Sequence, residues 1–441
     1  MTRVVVVGGG FSGLSCAVRL ASRGARVTVL EARRDLGGRA GSFTDEAGDV
    51  VDNGQHLFMA CYGATRDFLR ALGTEHLVRF QDRLVIDYVQ PGLRSRLTCP
   101  PLPAPWHLAA GVLTLKGLSL SDRLAFLRAG PALRRALRAA GPNGLEGTTV
   151  AGWLDALGQT PALRQRLWHP LAMATLNASP ETAPASLLAQ VLREGFMLNA
   201  RDSGLGVATV GLADLYTEAS RRFVEQRGGS IRTAQPVTGV QGTAQRITSV
   251  RTRDGETIPA DAVVLAVPPA ALARIESPVA PAAGLDRFGF SPILSVNLWF
   301  DRPASEIAPF DFAGAIGTQV QWIFNKERLL MGRASHIATV VSAAGSLIDQ
   351  PNDALAEMAL RDLQACLPGA RGARMVRSMV VREKAATYAP TLENEPLRPG
   401  PRTRCPNLFL AGDWTVAGIP ATIESAVRSG NLCADLIAPA A

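Results

Sequence analysis

Lysine is almost missing from this 441-residue chain: Lys116, Lys326 and Lys384 stand against 43 arginines among its 46 basic side chains. That scarcity leaves three positions at which a pyridoxal Schiff base could be built. Charged residues make up 19% and hydrophobic residues 47%, so the chain can bury a core, and disorder is excluded as its general description. The five histidines, His56, His76, His107, His169 and His336, lie far apart without metal-ligand spacing, and no metal site is expected. Six cysteines include no Cys-x-x-Cys pair, which removes a disulfide framework and a zinc knuckle and predicts a reducing, cytoplasmic setting. No stretch reaches the roughly 18 apolar residues of a membrane span, and the N-terminus lacks the pattern of a secretory leader. The net charge of +8 is not gathered into a single-sign tract, so no nucleic-acid partner is expected. At roughly 100–200 residues per domain, the length predicts two or three domains.

What is present begins at once. Val4 to Val7 is a β-branched run of the kind buried on both faces of a parallel sheet. Gly8-Gly9-Gly10-Phe11-Ser12-Gly13 ends it; a helical pattern with Leu14, Ala17, Val18 and Ala21 on one side follows, Gly24 closes the helix, and Ala25 to Leu30 is a second strand ending on Glu31. In this order of elements Gly8, Gly10 and Gly13 form a dinucleotide fingerprint. Gly8 permits the tight turn, Gly10 lets the backbone approach a pyrophosphate at the helix N-terminus beside Phe11 and Ser12, and Gly13 allows helix and strand to pack closely. Glu31, followed by Ala32, is placed to accept from the ribose hydroxyls of the adenosine half.

Residues Arg33 to Ser42 carry a Gly-Gly-Arg element that resembles the second fingerprint of the amine oxidase and phytoene desaturase superfamily of flavoproteins. The resemblance implies FAD as cofactor, with Arg39 helping to hold the pyrophosphate and Gly38 letting the backbone run beside the flavin. It extends to Gly211–Val240, where Val237 would contact the adenine by its backbone, and to the strand Ala262–Val267. It also covers Asn407–Thr415, where Gly412 and Asp413 would face the ribityl and pyrophosphate region. Gly418 to Ala426 reads as the start of a helix with Pro420 near its first turn; the resemblance places Pro420, Ala421 and Thr422 by the flavin pyrimidine, where the helix dipole favours the negative charge of the reduced form. The implied fold class is α/β: a discontinuous Rossmann-like FAD-binding domain (1–60, 205–270 and 395–441) with an inserted α+β substrate-binding domain (61–204 and 271–394).

Asp52 to Tyr62, Leu102 to Leu108, Gly117 to Leu124, Val320 to Phe324 and Gly412 to Thr415 together resemble one branch, the squalene-associated FAD-dependent desaturase-like family of hydroxysqualene dehydroxylases. This implies a lipophilic isoprenoid substrate, Gln55 and His56 at the flavin face, and Gln321, Trp322 and Phe324 against the substrate. His56 reads either as a proton donor or as a hydrogen-bonded structural histidine. Trp322, Phe324, Trp299 and Phe300 read either as tunnel lining or as plain core. Three functional readings stay open: a flavoenzyme removing a hydroxyl from an isoprenoid, a desaturase or amine oxidase running the flavin in the oxidising direction, and a non-catalytic isoprenoid carrier. The intact Gly8, Gly10, Gly13, Glu31 and Asp413 set argues against the carrier, and the lack of an identifiable paired-aromatic cage against the amine oxidase.

Residues 106–140 hold six basic side chains (Lys116, Arg123, Arg128, Arg134, Arg135 and Arg138) against one acid, Asp122, following an apolar run. Such an element reads either as peripheral attachment to an anionic membrane, here the inner face, or as a solvated helix face.

Overall fold

The β-branched run Arg3–Val7 is enclosed because it has a strand on each side and a layer on each face. Arg26–Leu30 and Ala262–Leu265 flank it in parallel, with Val5 opposite Thr28 and Val263. Ser230–Arg232 and Leu408–Leu410 complete a five-stranded parallel sheet in the order 230–232, 26–30, 3–7, 262–265, 408–410. Side chains alternate across a strand. Val4 and Val6 therefore pack under the helices Phe11–Ser22, Thr217–Glu225 and Ile423–Ile437. Val5 and Val7 meet the antiparallel strands Val237–Gly242 and Ile247–Thr252 on the other face. The structure, a computed structural model, describes residues 1–138, 145–330 and 335–437; residues 139–140 and the Arg138 side chain of the basic segment lie outside the described residues.

Two glycines set how tightly these layers close. A Cβ on Gly13 would stand 1.9 Å from the Gly8 carbonyl oxygen, and one on Gly430 would stand 2.1 Å from that of Ser12. The first contact seats the helix on the strand, and the second seats the helix Ile423–Ile437 on the helix Phe11–Ser22. That last helix begins later than the Pro420 pattern predicts. Its start is fixed by a reciprocal cap in which Thr422 N donates to Ser425 Oγ (2.8 Å) and Ser425 N to Thr422 Oγ1 (3.2 Å). Pro420 stays in the preceding loop, outside the first turn.

The second body is a seven-stranded mixed sheet in the order 375–388, 290–300, 336–342, 322–325, 312–315, 85–90, 93–98. Its neighbours are antiparallel except Phe312–Ala315 beside Val85–Gln90. Trp322 and Phe324 point into a core shared with the helices of residues 106–197, while Ile323 points to the helix Asn352–Cys366. A small sheet of Leu57–Met59, Leu205–Ala208 and Val78–Phe80 lies between the two bodies in sequence and carries the chain past Gln55 and His56.

Candidate functional site

The helix Phe11–Ser22 opens on Gly10 with no side-chain cap and no acid in its first turn, so its leading N–H groups are free to meet an anion. The glycines at its head have different neighbours. Cβ atoms at Gly8 and Gly13 would run into backbone, whereas one at Gly10 would meet nothing nearer than 3.9 Å. Gly10 has an ordinary extended φ of −89°, so neither protein contacts nor backbone strain demand glycine there. A ligand pressed against the backbone does, and the uncapped helix end and open glycine fit the FAD pyrophosphate. Gly37 and Gly38 close the far side of this cradle, with Gly38 Cα 3.9 Å from the same position.

Glu31 is buried; its carboxylate accepts from Gly9 N at 2.7 Å and Arg33 N at 2.8 Å. One oxygen serves each amide, leaving lone pairs for the ribose hydroxyls. Ala32 is exposed beside it, and Val237 opens the strand that follows the Glu31–Gln235 backbone contact. Tyr216, which no sequence signal marked, stacks on Phe11 with ring centroids 3.7 Å apart and donates its hydroxyl to the Gly37 carbonyl at 2.8 Å. It thereby ties the first fingerprint to the second. Ser12 is held against Ser429, whose hydroxyl also takes the Gly412 amide.

Arg39 and Asp413 are brought together as expected, but they grip each other. Arg39 Nη1 lies 3.0 Å from Asp413 Oδ2, and the same nitrogen donates to the Ala386 carbonyl. The loop after Asp413 is fixed by Arg398, whose fully buried guanidinium donates to the carbonyls of Asp413 (2.8 Å), Trp414 (3.3 Å) and Ile419 (2.9 Å). These contacts position Gly412, Pro420, Ala421 and Thr422.

Gln55 and His56 line a small pocket whose other walls include Val207, Val210, Leu212, Phe324 and Leu329. In its wall Asp52 accepts four hydrogen bonds: from Ser42 Oγ (2.7 Å), Leu212 N (2.9 Å), Gln55 Nε2 (2.9 Å) and Lys326 Nζ (2.8 Å). Burial alone would raise the Asp52 pKa. Lys326, the Leu212 amide and Ser42 outweigh it, and the carboxyl lies below its usual value. Lys326 is 3% exposed and also donates to Gln55 Oε1 at 3.1 Å. His56 has no hydrogen-bond partner among the described residues; burial pulls its pKa down to about 4, with Asp52 opposing and Arg39 adding to the shift. The imidazole is therefore neutral at pH 7. His56 Nε2 and the buried, unpartnered Ser295 Oγ both lie 3.9 Å from where a Gly54 Cβ would stand.

The other aromatic candidates divide. Phe324 lines the cavity, Trp322 packs on Phe312 in the core, Phe300 lies in the core on the opposite face, and Trp299 stacks on His336. The Gln321 carboxamide is spent on the Ser342 backbone, accepting from its N–H at 2.7 Å. Lys326 is the site residue that pattern reading passed over; its rarity was the signal available. A larger cleft of about 420 Å³ runs beside Pro420 and Thr422, past Met59, Cys61, Gln190 and Val191.

The parallel sheet, the glycine cradle and the returning Asp413 loop define a flavoprotein of the amine oxidase fold. The chain belongs to the flavin-containing amine oxidoreductase family, whose model matches residues 11–438, and its cofactor is FAD. It is 32% identical to a hydroxysqualene dehydroxylase of Sinorhizobium fredii (98% of this chain, 97% of the relative) and 30% identical to one of Rhodopseudomonas palustris (98% of each). Among solved structures, cyclohexylamine oxidase from Brevibacterium oxydans shares the fold with a TM-score of 0.71 at 17% identity, over 98% of each chain. Among the described residues no helix is long and apolar enough to cross a membrane.

Proposed function

We propose that this protein reductively removes the hydroxyl group of hydroxysqualene to give squalene. The observation that supports this reading is the pocket beside Gln55 and His56, where Val207, Val210, Leu212, Phe324 and Leu329 meet the polar groups of Asp52, Gln55, His56 and Lys326. Such a mixed lining suits the oxygen-bearing part of an isoprenoid alcohol. Similarity to the two hydroxysqualene dehydroxylases along nearly the whole chain points the same way.

The reaction breaks a C–O bond and forms a C–H bond; hydroxide leaves with a proton as water. FAD, when bound and reduced, supplies the hydride. The chain's own residues bind the apolar arms, exclude water and handle the departing oxygen. His56 is the proton donor in this account. It acts from its minor protonated form: burial lowers its pKa to about 4, and Asp52 opposes that shift. Pro420, Ala421 and Thr422, ahead of the N-terminus of Ile423–Ile437, would hold the flavin's pyrimidine end, where the helix dipole would favour the negative charge of the reduced form.

A greasy substrate has to come from a membrane, and the basic segment supplies the contact in this reading. Of ten exposed large apolar side chains among the described residues, five fall within 102–127: Leu102, Trp106, Leu120, Leu124 and Leu127. Arg128, Arg134 and Arg135 are exposed nearby, and the Arg134 guanidinium lies 5.7 Å from the Trp106 ring centre. Apolar side chains within a basic rim suit the surface of an anionic bilayer.

The reading is tested by incubating the enzyme with hydroxysqualene and a chemical reductant without oxygen, and identifying the product by mass. Squalene is expected. Conversion of phytoene by the oxidised enzyme, with hydroxysqualene left intact, would establish a desaturase instead.

A further inference from the structure

Of the chain's three lysines, Lys326 is the one enclosed in the cavity wall, at the junction of the strand Trp322–Asn325 and the short helix Lys326–Leu330. Everywhere else the sequence favours arginine. An arginine's planar fork suits two-pronged pairing, whereas an ammonium is compact and carries three N–H groups that diverge from one point. Two of these are occupied, by Asp52 Oδ2 at 2.8 Å and Gln55 Oε1 at 3.1 Å. The third has no partner among the described residues. Asp52 is saturated by its four donors, so it holds the ammonium in place and has no lone pair to offer an incoming hydroxyl. The groups of this cluster that can still donate into the cavity are the Lys326 ammonium, the unpartnered His56 imidazole and the second N–H of the Gln55 carboxamide, and of these the ammonium carries the full positive charge.

We propose that Lys326 is the specificity-determining residue for the substrate's oxygen: it donates its third N–H to the hydroxyl of the isoprenoid alcohol, beside His56. This rests on the dehydroxylation reading and deepens it. The ammonium distinguishes the alcohol from the hydrocarbon product, because an alcohol satisfies the buried N–H and a hydrocarbon leaves it without a partner. It also places positive charge where negative charge develops on the departing oxygen. Asp52 and Gln55 are positioning residues for it.

The test is ligand binding to the oxidised holoenzyme, which cannot deliver hydride, followed by perturbation of the flavin absorbance. Hydroxysqualene and squalene are titrated into the wild type and into Lys326→Met. The wild type is expected to bind the alcohol about 10- to 100-fold more tightly than the hydrocarbon, the scale of a hydrogen bond to a charged group. Lys326→Met is expected to lose this preference while still binding squalene. Because the single change leaves Asp52 buried without its cation, Asp52→Asn with Lys326→Met serves as the neutral control and is expected to give the same result. If either folded variant keeps the full preference for the alcohol, Lys326 is not the oxygen's partner, although the dehydroxylation reading survives. A wild type that does not distinguish the two ligands overturns the reading of the cavity as an alcohol site, and the role of Lys326 with it.

Discussion

Arg39 and Asp413 stand 374 residues apart and share a two-pronged ion pair, Nη1 to Oδ2 at 3.0 Å and Nη2 to Oδ1 at 2.5 Å. The pair joins the Gly37–Gly38 side of the cofactor cradle to the loop that follows the last strand of the parallel sheet. The Asp413 side chain is 7% exposed and that of Arg39 30%, so water replaces a lost partner poorly on the aspartate side. Arg39→Ala, which leaves the Asp413 carboxylate without its cation, is expected to lower stability by about 1–3 kcal/mol, the scale of an unsatisfied charged group. It should also reduce the FAD retained on purification. Urea unfolding and the flavin absorbance measure the two effects separately.

The glycines predict a sharper contrast. Alanine at Gly10 meets no protein atom within 3.8 Å and needs no unusual backbone angle. Gly10→Ala should therefore fold like the wild type yet bind FAD at least about tenfold more weakly, through steric exclusion of the pyrophosphate. Gly13→Ala forces a carbon to 1.9 Å from the Gly8 oxygen and should cost about 1–3 kcal/mol or more of stability with or without cofactor. Circular dichroism and FAD titration distinguish these outcomes.

The contrast also shows what a sequence discloses. Gly8, Gly10, Gly13 and Glu31 were legible because the whole βαβ unit is local, with helix, strands and turn contiguous over thirty residues. Asp413 was legible through resemblance, and its partnership with Arg39 was not, since contacts over 374 residues leave no spacing to read. The same holds for Lys326 and Asp52, 274 apart, and for Tyr216, whose hydroxyl reaches a carbonyl 179 residues away. The helix at Ile423 was misplaced because Pro420 suggests a first turn, while the Thr422–Ser425 cap that sets the start competes for the same few residues. Trp299 and Phe300 show the limit of composition: both suit an apolar wall, and neither lines the cavity beside His56.

Two histidines make stability depend on pH. Burial lowers the pKa of His56 to about 4 and that of His336 to about 3, from 6.5. Both folded values lie below the unfolded one, so on acidification the unfolded chain takes up protons first. The stability these groups contribute is complete above about pH 6.5 and falls as the pH drops toward 4 and then 3. Each contributes a slope of up to about 1.4 kcal/mol per pH unit in its window. Urea midpoints of the wild type and His56→Asn between pH 7 and 4.5 should show the shallower slope in the variant.

Membrane binding follows from the exposed segment. Vesicles with anionic lipid should bind the protein, and salt should weaken the binding, since each basic residue near the surface is worth about 1 kcal/mol and is screened. Arg128→Glu, Arg134→Glu and Arg135→Glu together should abolish sedimentation with vesicles, and Trp106→Ala should weaken it without changing its salt dependence. Equal binding to neutral vesicles would assign the segment to a solvated surface.

Hydride direction is the central claim, and one single-turnover measurement addresses it. Enzyme whose FAD has been reduced anaerobically with a deuterium label is mixed with hydroxysqualene, and flavin absorbance and product mass are followed together. The account predicts that the flavin reoxidises in step with squalene formation and that one deuterium appears at the former carbinol carbon. It also predicts that His56→Ala slows this step by about 10²–10⁴-fold, the range for loss of a general acid. Reduced flavin that persists in the presence of hydroxysqualene, together with bleaching of oxidised enzyme by phytoene, would contradict it.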